Sequence, residues 1–404
     1  MSFQTGLSGL NTSSRNLDVI GNNIANANTT GMKASRAEFS SLVAASLGGG
    51  GGSSTGIGVE LANVSQQFSQ GNITITGNDL DVAINGSGFF QLTMPDGSAA
   101  YTRDGTFKLD KDGNLITNAG ASVMGVPTDI DGTPTSTTIQ ALQLPTNAPI
   151  AANVTANIVA EFNLDARAPE AALAVPPTPR TTYGTSLTAY DSQGTPVPVS
   201  LYFERAAASG TDNWDVYDTT DPTVGPIFQM QFDANGTLVG PLTAPVLTIP
   251  TPSATTLDIS ATLDISKVTQ FGASFAVSKL TQDGYPPGEL VGLKVGEDGV
   301  VTARYSNGET QAAGKLALAD FRNVQGLAPS NGGTWVETFA SGQPIQGAPG
   351  VGKFGALRAG ALEESNVDLT GELVNMMTAQ RAYQANAQTI KTMDQVMSTL
   401  VNLR

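Results

Sequence analysis

Asp79 and Asp81, in Asn78-Asp79-Leu80-Asp81-Val82, would share one face of a strand, and paired carboxylates are the equipment of glycoside hydrolysis. That chemistry needs the two groups on either side of a scissile bond. An Asp at the start of a strand more often bonds its own backbone, so capping is the better reading. Asp110-Lys111-Asp112-Gly113-Asn114 begins like a calcium loop, which requires Gly at its sixth position and Glu at its twelfth. Leu115 and Ala121 stand there, and the run is read as a hairpin turn. Gly56-Ile57-Gly58 lacks the third glycine of a dinucleotide-binding turn, because position 61 is Leu. No phosphate-loop pattern occurs.

The missing residue types narrow the chemistry further. The 404-residue chain has no cysteine and no histidine. Disulfide scaffolds, thiolate zinc sites, Cys nucleophiles and imidazole bases are thereby excluded. No side chain titrates between pH 5 and 8 unless its environment shifts it, so contacts should change little between about pH 6 and 8. The net charge of −15 and the lack of Lys/Arg clusters exclude nucleic acid as a partner, and they argue against anionic lipid. No enzyme and no cofactor is expected. Residues 1–10 have neither a basic start nor a long apolar core, so no secretory signal peptide is expected. No run of 18 apolar residues occurs, so no membrane insertion is expected either.

The elements that would carry any function are arranged as two helical ends around strand-rich middles. From Leu369 a 4-3 spacing passes through Leu373, Met376, Tyr383, Ala387, Ile390, Met397 and Val401, with Gln380 and Asp394 as exceptions. A 3.5-residue repeat of this length predicts a coiled-coil seam. The N-terminus carries a weaker version in Phe3, Leu7, Leu10, Leu17 and Ile24. Gly6, Gly9 and Gly21 should each cost that helix about 1 kcal/mol relative to Ala, so it needs a partner. Gly48–Gly52 and the following Ser53-Ser54-Thr55-Gly56 read as a flexible linker. Two meanders have turns at Pro95-Asp96-Gly97, Asp104-Gly105, Asp112-Gly113, Asp298-Gly299 and Asn307-Gly308. Residues 145–284 are Thr-, Pro- and Ala-rich, with a proline-rich patch at Pro169–Pro179. Their 13 acidic against 5 basic residues carry −8 of the net charge.

The expected fold is α+β and mainly β. Paired terminal coiled-coil helices (1–32 and 362–404) are followed by a connecting segment (33–70). An inner antiparallel β domain (71–144 and 285–361) carries an inserted outer antiparallel β domain (145–284). Tyr285-Pro286-Pro287-Gly288 would mark the return from the outer domain to the inner one.

Three stretches carry a family resemblance. Asn16 to Lys33 contains Asn23-Ile24-Ala25-Asn26 followed by Thr30-Gly31-Met32-Lys33, and it resembles the N-terminal signature of bacterial flagellar rod and hook axial proteins. Met32 replaces the usual aromatic residue. Asp79–Phe90 with Tyr101–Phe107 resembles the β region shared by that family, and Leu362–Asp368 with Glu372–Asn386 resembles its C-terminal helix. The closing run Asn386–Arg404, the length and the inserted domain resemble the hook branch rather than the shorter rod branch.

The resemblance implies a structural subunit that polymerises into a curved, bendable hollow tube joining motor to filament. It implies export without cleavage through the flagellar type III apparatus and assembly under a hook cap outside the cell. The distal rod and hook–filament junction proteins would be its neighbours. In the family the end helices line the tube, which makes the two seams subunit-contact residues, while 48–56 and 341–352 would let the layers shift. A distal rod subunit and a surface adhesin built on 145–284 are the alternatives.

Overall fold

The computed structural model describes residues 2–43, 56–145, 149–171, 178–206, 212–252 and 256–402. Gly48–Gly52 and the middle of the Pro169–Pro179 patch lie outside the described residues. The chain is mainly β, with helix α1 (Ser2–Ala25) at one end and helix α2 (Leu369–Asn402) at the other. It divides into two compact units. One comprises Met1–Asn147, Gly292–Ala303 and Thr310–Arg404, and the other Ala148–Val291 with Arg304–Glu309.

In the first unit, early and late strands share one sheet. Thr310–Leu316 pairs with Ser122–Val126, followed in order by Phe89–Thr93, Ala99–Thr102, Thr334–Val336 and Ala328–Ser330. Successive strand residues point to opposite faces, so Phe89 and Phe90 need cover on both sides. Phe89 meets Trp335 at 5.5 Å, and Trp335 belongs to a buried cluster with Tyr101 and Phe321. Phe90 meets Phe107 edge-on at 5.0 Å. Edge-to-face rings of this kind add about 0.5–1.5 kcal/mol beyond their buried area.

The second unit is a two-sheet sandwich with its own core. One sheet is an antiparallel meander of Gly184–Tyr190, Pro196–Arg205, Asp212–Tyr217, Phe228–Phe232 and Leu238–Gly240. The other is built on Asn157–Asp165, whose alternate residues Ile158, Ala160, Phe162 and Leu164 are buried. These join Phe203, Trp214, Met230, Phe232, Leu247 and Leu263 in one cluster.

The expectation of purely antiparallel pairing needs correction here. Asn157–Asp165 pairs in parallel with Ile259–Asp264 and with Thr269–Phe271. A parallel neighbour requires a long crossover, and the whole meander, lying between these strands in the chain, supplies it. The sandwich has a closed neck, where Ile150 and Asn153 exchange backbone hydrogen bonds with Gly288 and Tyr285.

Two further segments differ from their sequence reading. The connecting segment 33–70 contains an antiparallel hairpin, Ser35–Val43 with Gly56–Gln66. Its strands intersperse Ser and Glu with apolar residues and give no clean period-2 signal; the hairpin leans on α1, where the Val59 amide donates to Ser8 Oγ at 3.4 Å. Ser341 to Gly352 is not a free linker, because Ile345–Gly347 pairs with Leu318–Asp320.

Asp-x-x-Gly-(Asn/Thr) turns recur at Asp110, Asp129, Asp191 and Asp233. In each, the Asp Oδ1 accepts the amides two and four residues ahead. The glycine of each adopts φ between 77° and 87°, which side chains other than glycine rarely tolerate. Bonds from the side chain and backbone of the residue four places on hold Asp110, Asp129 and Asp233 below the usual carboxylate range. At Asp191 burial pulls upward, but the amides of Thr195 and Gln193 and the Thr195 side chain outweigh it. A depressed folded pKa stabilises fully above the unfolded value of about 3.9 and is lost as pH falls through the folded value. The melting midpoint should therefore be flat from about pH 8 to 5 and drop steeply below about pH 4 in a calorimetric series.

Candidate functional site

The two ends of the chain meet beside the first sheet. α1 stops at Ala25, and the Asn-rich run after it turns the chain: Asn26 Nδ2 donates to Asn22 O at 2.9 Å, and Gly31 takes φ 68°. A Cβ on Gly31 would lie 2.6 Å from the backbone of Arg103 and Asp104, so only glycine fits there. Asn23 is buried and acts as a strand partner for Ser35, donating to its carbonyl at 2.7 Å and accepting its amide at 2.8 Å. Asn23 Nδ2 also reaches Glu372 Oε1 at 3.3 Å. Asp368 precedes α2 as its N-cap, its Oδ1 accepting the Thr370 amide at 3.0 Å.

Between these two ends lies a buried charge cluster. Lys33 Nζ sits 2.6 Å from Glu363 Oε1, with neither side chain exposed, and Arg103 Nη1 sits 3.2 Å from Glu363 Oε2. Neutral groups fill most of the shell, leaving the buried Arg103 Nε without a hydrogen-bond partner. Lys33 also donates to Ser69 O at 2.8 Å, Arg103 to Gly86 O at 2.9 Å, and the Gly71 amide donates to Glu363 Oε1 at 2.9 Å. Burial pulls the Lys33 ammonium below the usual lysine range, and the hydrogen bond and charge of Glu363 oppose it. Burial likewise lowers Arg103, again opposed by Glu363. Such a cluster gains little over an apolar one, but removing one partner typically costs about 3–5 kcal/mol because a buried charge is left behind. Asn366 adds a second tie: its Oδ1 accepts the Ala34 amide at 2.7 Å, and its Nδ2 donates to Gln67 O at 2.7 Å.

The helices pack antiparallel on a small-residue stripe. A Cβ on Gly6 would stand 3.3 Å from Ile390, and one on Gly9 would stand 2.9 Å from Asn386. Asn386 Nδ2 also reaches Ser13 Oγ at 3.5 Å. With the buried Ile20 and Asn23, this stripe lies about one residue off the N-terminal seam. Within the N-terminal seam, Leu10, Leu17 and Ile24 are half-buried while Leu7 is exposed; in α2, Met376, Ala387 and Ile390 are half-buried. Leu369, Leu373, Tyr383 and Met397 are 42%, 51%, 37% and 61% exposed. The side chains of Phe3 and Val401 lie outside the described residues.

The pattern follows from geometry, because a 3.5-residue seam drifts by about 20° per heptad around a straight 3.6-residue helix. It faces away from α1 at Leu369 and Leu373 and swings onto it by Ile390. Val374, Met377 and Val396 widen the exposed apolar face to solvent.

Of the motif residues, Asn23, Gly31 and Lys33 are buried, Ile24, Asn26 and Thr30 half-buried, and Ala25 exposed. Sequence reasoning did not pair Lys33 with Glu363 or bring Arg103 to them. The available signal was a lone cation in one terminal motif and an acidic pair in the other. The Asp81 carboxylate accepts from two side chains rather than from the backbone, Thr76 Oγ1 at 2.7 Å and Asn78 Nδ2 at 3.1 Å. Among the described residues no acidic cluster is arranged to hold a metal, and no helix is long and apolar enough to cross a membrane.

The full chain aligns at 42% identity with the full length of the flagellar hook protein FlgE of Escherichia coli. The chain belongs to the flagellar hook protein FlgE family. The hook protein FlgE of Salmonella typhimurium is 40% identical over the whole of both chains. That of Treponema pallidum is 32% identical over 462 aligned positions, covering 100% of this chain and 99% of the relative. Family models match piecewise along the chain. They are the flagella basal body rod protein at residues 3–33, the flagellar hook protein FlgE/F/G D1 domain at 83–157, the flagellar basal body protein FlaE D2 domain at 163–285, and the flagellar basal body rod FlgEFG protein C-terminal at 358–403. Among solved structures, the Helicobacter pylori flagellar hook protein FlgE2 superposes with a TM-score of 0.52 at 16% identity, covering 72% of this chain and all of that one. At that identity the likeness is one of fold. The charge cluster thus joins two segments, 3–33 and 358–403, that the hook-protein family shares with rod proteins.

Proposed function

We propose that this chain is a non-catalytic structural subunit that polymerises into the flagellar hook, a curved, bendable hollow tube coupling the motor and rod to the filament. Full-length identity of 40–42% to hook proteins carries the reading. The exposed apolar face of α2 supports it. Leu369, Leu373, Val374, Met377, Val396 and Met397 are too many large apolar groups for one marginal helix to leave in water, and neighbouring subunits would bury them.

In this reading the two end helices pair as a coiled coil and line the inner tube. The first unit's sheet forms a middle layer and the sandwich an outer, inserted one. The subunit leaves the cell uncleaved through the type III apparatus and adds under a hook cap, with the distal rod and the hook–filament junction proteins at the two ends of the polymer. Electron microscopy in assembly-promoting salt tests this, comparing the full chain with one lacking residues 1–30 and 370–404. Curved tubes from the full chain alone are expected; straight tubes would favour a distal rod subunit, and tubes from both would remove the helices from the contact.

A further inference from the structure

Four Asn-Gly pairs occur in the chain, at Asn85, Asn235, Asn307 and Asn331. In such a pair the backbone can attack a side chain. The glycine amide nitrogen, with no side chain to crowd it, adds to the carboxamide carbon of the preceding Asn. The amide must first lose its proton, and the carboxamide must be free to turn.

Three of the pairs are held back. Asn85 ends a strand and lies in backbone register with Ala356. Asn235 Nδ2 reaches Asp233 Oδ2 at 3.3 Å, and the Gly236 amide donates to Asp233 O at 3.0 Å. Asn307 Nδ2 donates to Pro286 O at 2.7 Å, its Oδ1 accepts the Glu309 amide at 3.0 Å, and the Gly308 amide donates to Tyr305 O at 3.1 Å.

Asn331 is different. It stands at the tip of the hairpin that joins Ala328–Ser330 to Thr334–Val336. Asn331 and Gly332 are exposed, and among the described residues neither the Asn331 carboxamide nor the Gly332 amide makes a hydrogen bond. No atom stands within 4 Å of the place that a Cβ on Gly332 would take. The loop is nevertheless anchored, because Ser330 pairs with Thr334 and Thr102 Oγ1 donates to Gly333 O at 3.1 Å.

One further bond acts on the reacting peptide itself. Thr334 Oγ1 donates to Asn331 O at 2.9 Å, and that carbonyl belongs to the peptide group whose nitrogen is Gly332 N. When the nitrogen loses its proton, peptide resonance spreads the negative charge onto this oxygen. A hydrogen bond to a charged acceptor is about twice as strong as one to a neutral acceptor. Thr334 therefore stabilises the attacking form more than the resting one.

We propose that Asn331-Gly332 is a self-modification site, converted to aspartate and isoaspartate with Thr334 as its positioning residue. The Gly332 N–Asn331 Cγ bond forms, the Cγ–Nδ2 bond breaks, and ammonia leaves. Water then opens the cyclic imide on either side. One water is consumed and one ammonia released, with no change of oxidation state. Both products put a carboxylate on the hairpin tip, and the isoaspartate also lengthens the loop backbone by one atom. The subunit so acquires with age a charge that its gene does not encode. The chemistry is internal to one hairpin and does not rest on the assembly reading.

The test is incubation of the full-length chain at several pH values, followed by proteolysis and mass spectrometry of the four Asn-Gly peptides. Labelling by an isoaspartate-specific methyltransferase identifies the rearranged product. Asn331 is expected to convert first, in proportion to hydroxide. Asn235 and Asn307 should lag by at least about tenfold, because hydrogen bonds must break before they react. Thr334→Val keeps the shape, loses the hydroxyl and should slow Asn331 by about tenfold. Thr334→Ser should keep most of the parent rate. A variant that merely loosened the hairpin would react faster, so the sign separates the hydrogen bond from a folding defect. Conversion of all four at one rate, or of Asn235 or Asn307 ahead of Asn331, would overturn the site. An unchanged or faster rate in Thr334→Val would overturn the role of Thr334.

Discussion

Replacing Leu373 and Met397 together by aspartate should leave a folded chain that no longer forms tubes at concentrations where the parent does. Both side chains are more than half exposed in the single chain, so neither supports the fold. Burying a large apolar side chain is worth about 1.5–3 kcal/mol, and a carboxylate in the same place adds a desolvation penalty. Losing two such contacts per subunit raises the critical concentration by at least on the order of 100-fold. Sedimentation of assembled against free protein gives the critical concentration, and far-ultraviolet circular dichroism checks that the helices survive. A variant that polymerises at the parent's concentration would show that neither of these α2 positions is a subunit contact. Ala387 and Ile390 are poorer targets, because they are half-buried within the chain and their loss mixes fold with assembly.

Trp214→Ala should lower the melting of the sandwich by roughly 6–20 °C while the first unit's transition stays in place. Trp214 is fully buried between the two sheets, with Tyr183 edge-on at 5.6 Å. Removing so large a side chain from a packed core costs about 3–5 kcal/mol. The cluster it belongs to draws only on residues 158–268, and the Phe89–Trp335 cluster draws on none of them, so two cores should melt separately. Trp214→Phe is the informative control. The indole Nε1 is buried without a hydrogen-bond partner, so phenylalanine removes an unsatisfied donor along with some volume and should cost much less. Differential scanning calorimetry reads both variants. One transition moving as a whole would mean that the units are not independent.

Local features were the ones legible in the sequence. The Asp110 and Asp298-Gly299 turns are there because Asp caps and glycine's positive φ act within five residues, without help from the rest of the fold. Val300–Tyr305 is a strand over the same residues that its β-branched pattern marks. The Asn-rich break ends α1 one residue after Ile24.

What escaped was long-range or ran against local propensity. Lys33 and Glu363 are 330 residues apart, and nothing in either motif specifies the other as partner. The parallel pairing of Asn157–Asp165 depends on where a distant strand returns, a choice that alternation cannot encode. Gly6 and Gly9 count against a helix by propensity, yet α2 packs so close to them that an added Cβ would crowd Ile390 and Asn386. The coiled-coil repeat marks α2 as a helix but does not by itself mark the face it shares with α1, because a 3.5-residue seam drifts by about 20° per heptad around a straight helix and that drift accumulates along α2.

The zipped neck of the sandwich bears on how such chains diversify. Backbone bonds from Ile150 and Asn153 to Gly288 and Tyr285 bring the ends of a stretch of some 140 residues side by side. To the remaining chain that stretch is a short loop, whatever its length. Insertions and deletions inside it change neither the span to be closed nor the entropy of closing it for the rest of the chain. Lineages can therefore enlarge, trim or resurface the module without renegotiating the ends, and relatives whose alignments run well beyond this chain's length still match it from end to end. Selection on the sandwich and selection on the terminal motifs can then proceed at different rates within one gene.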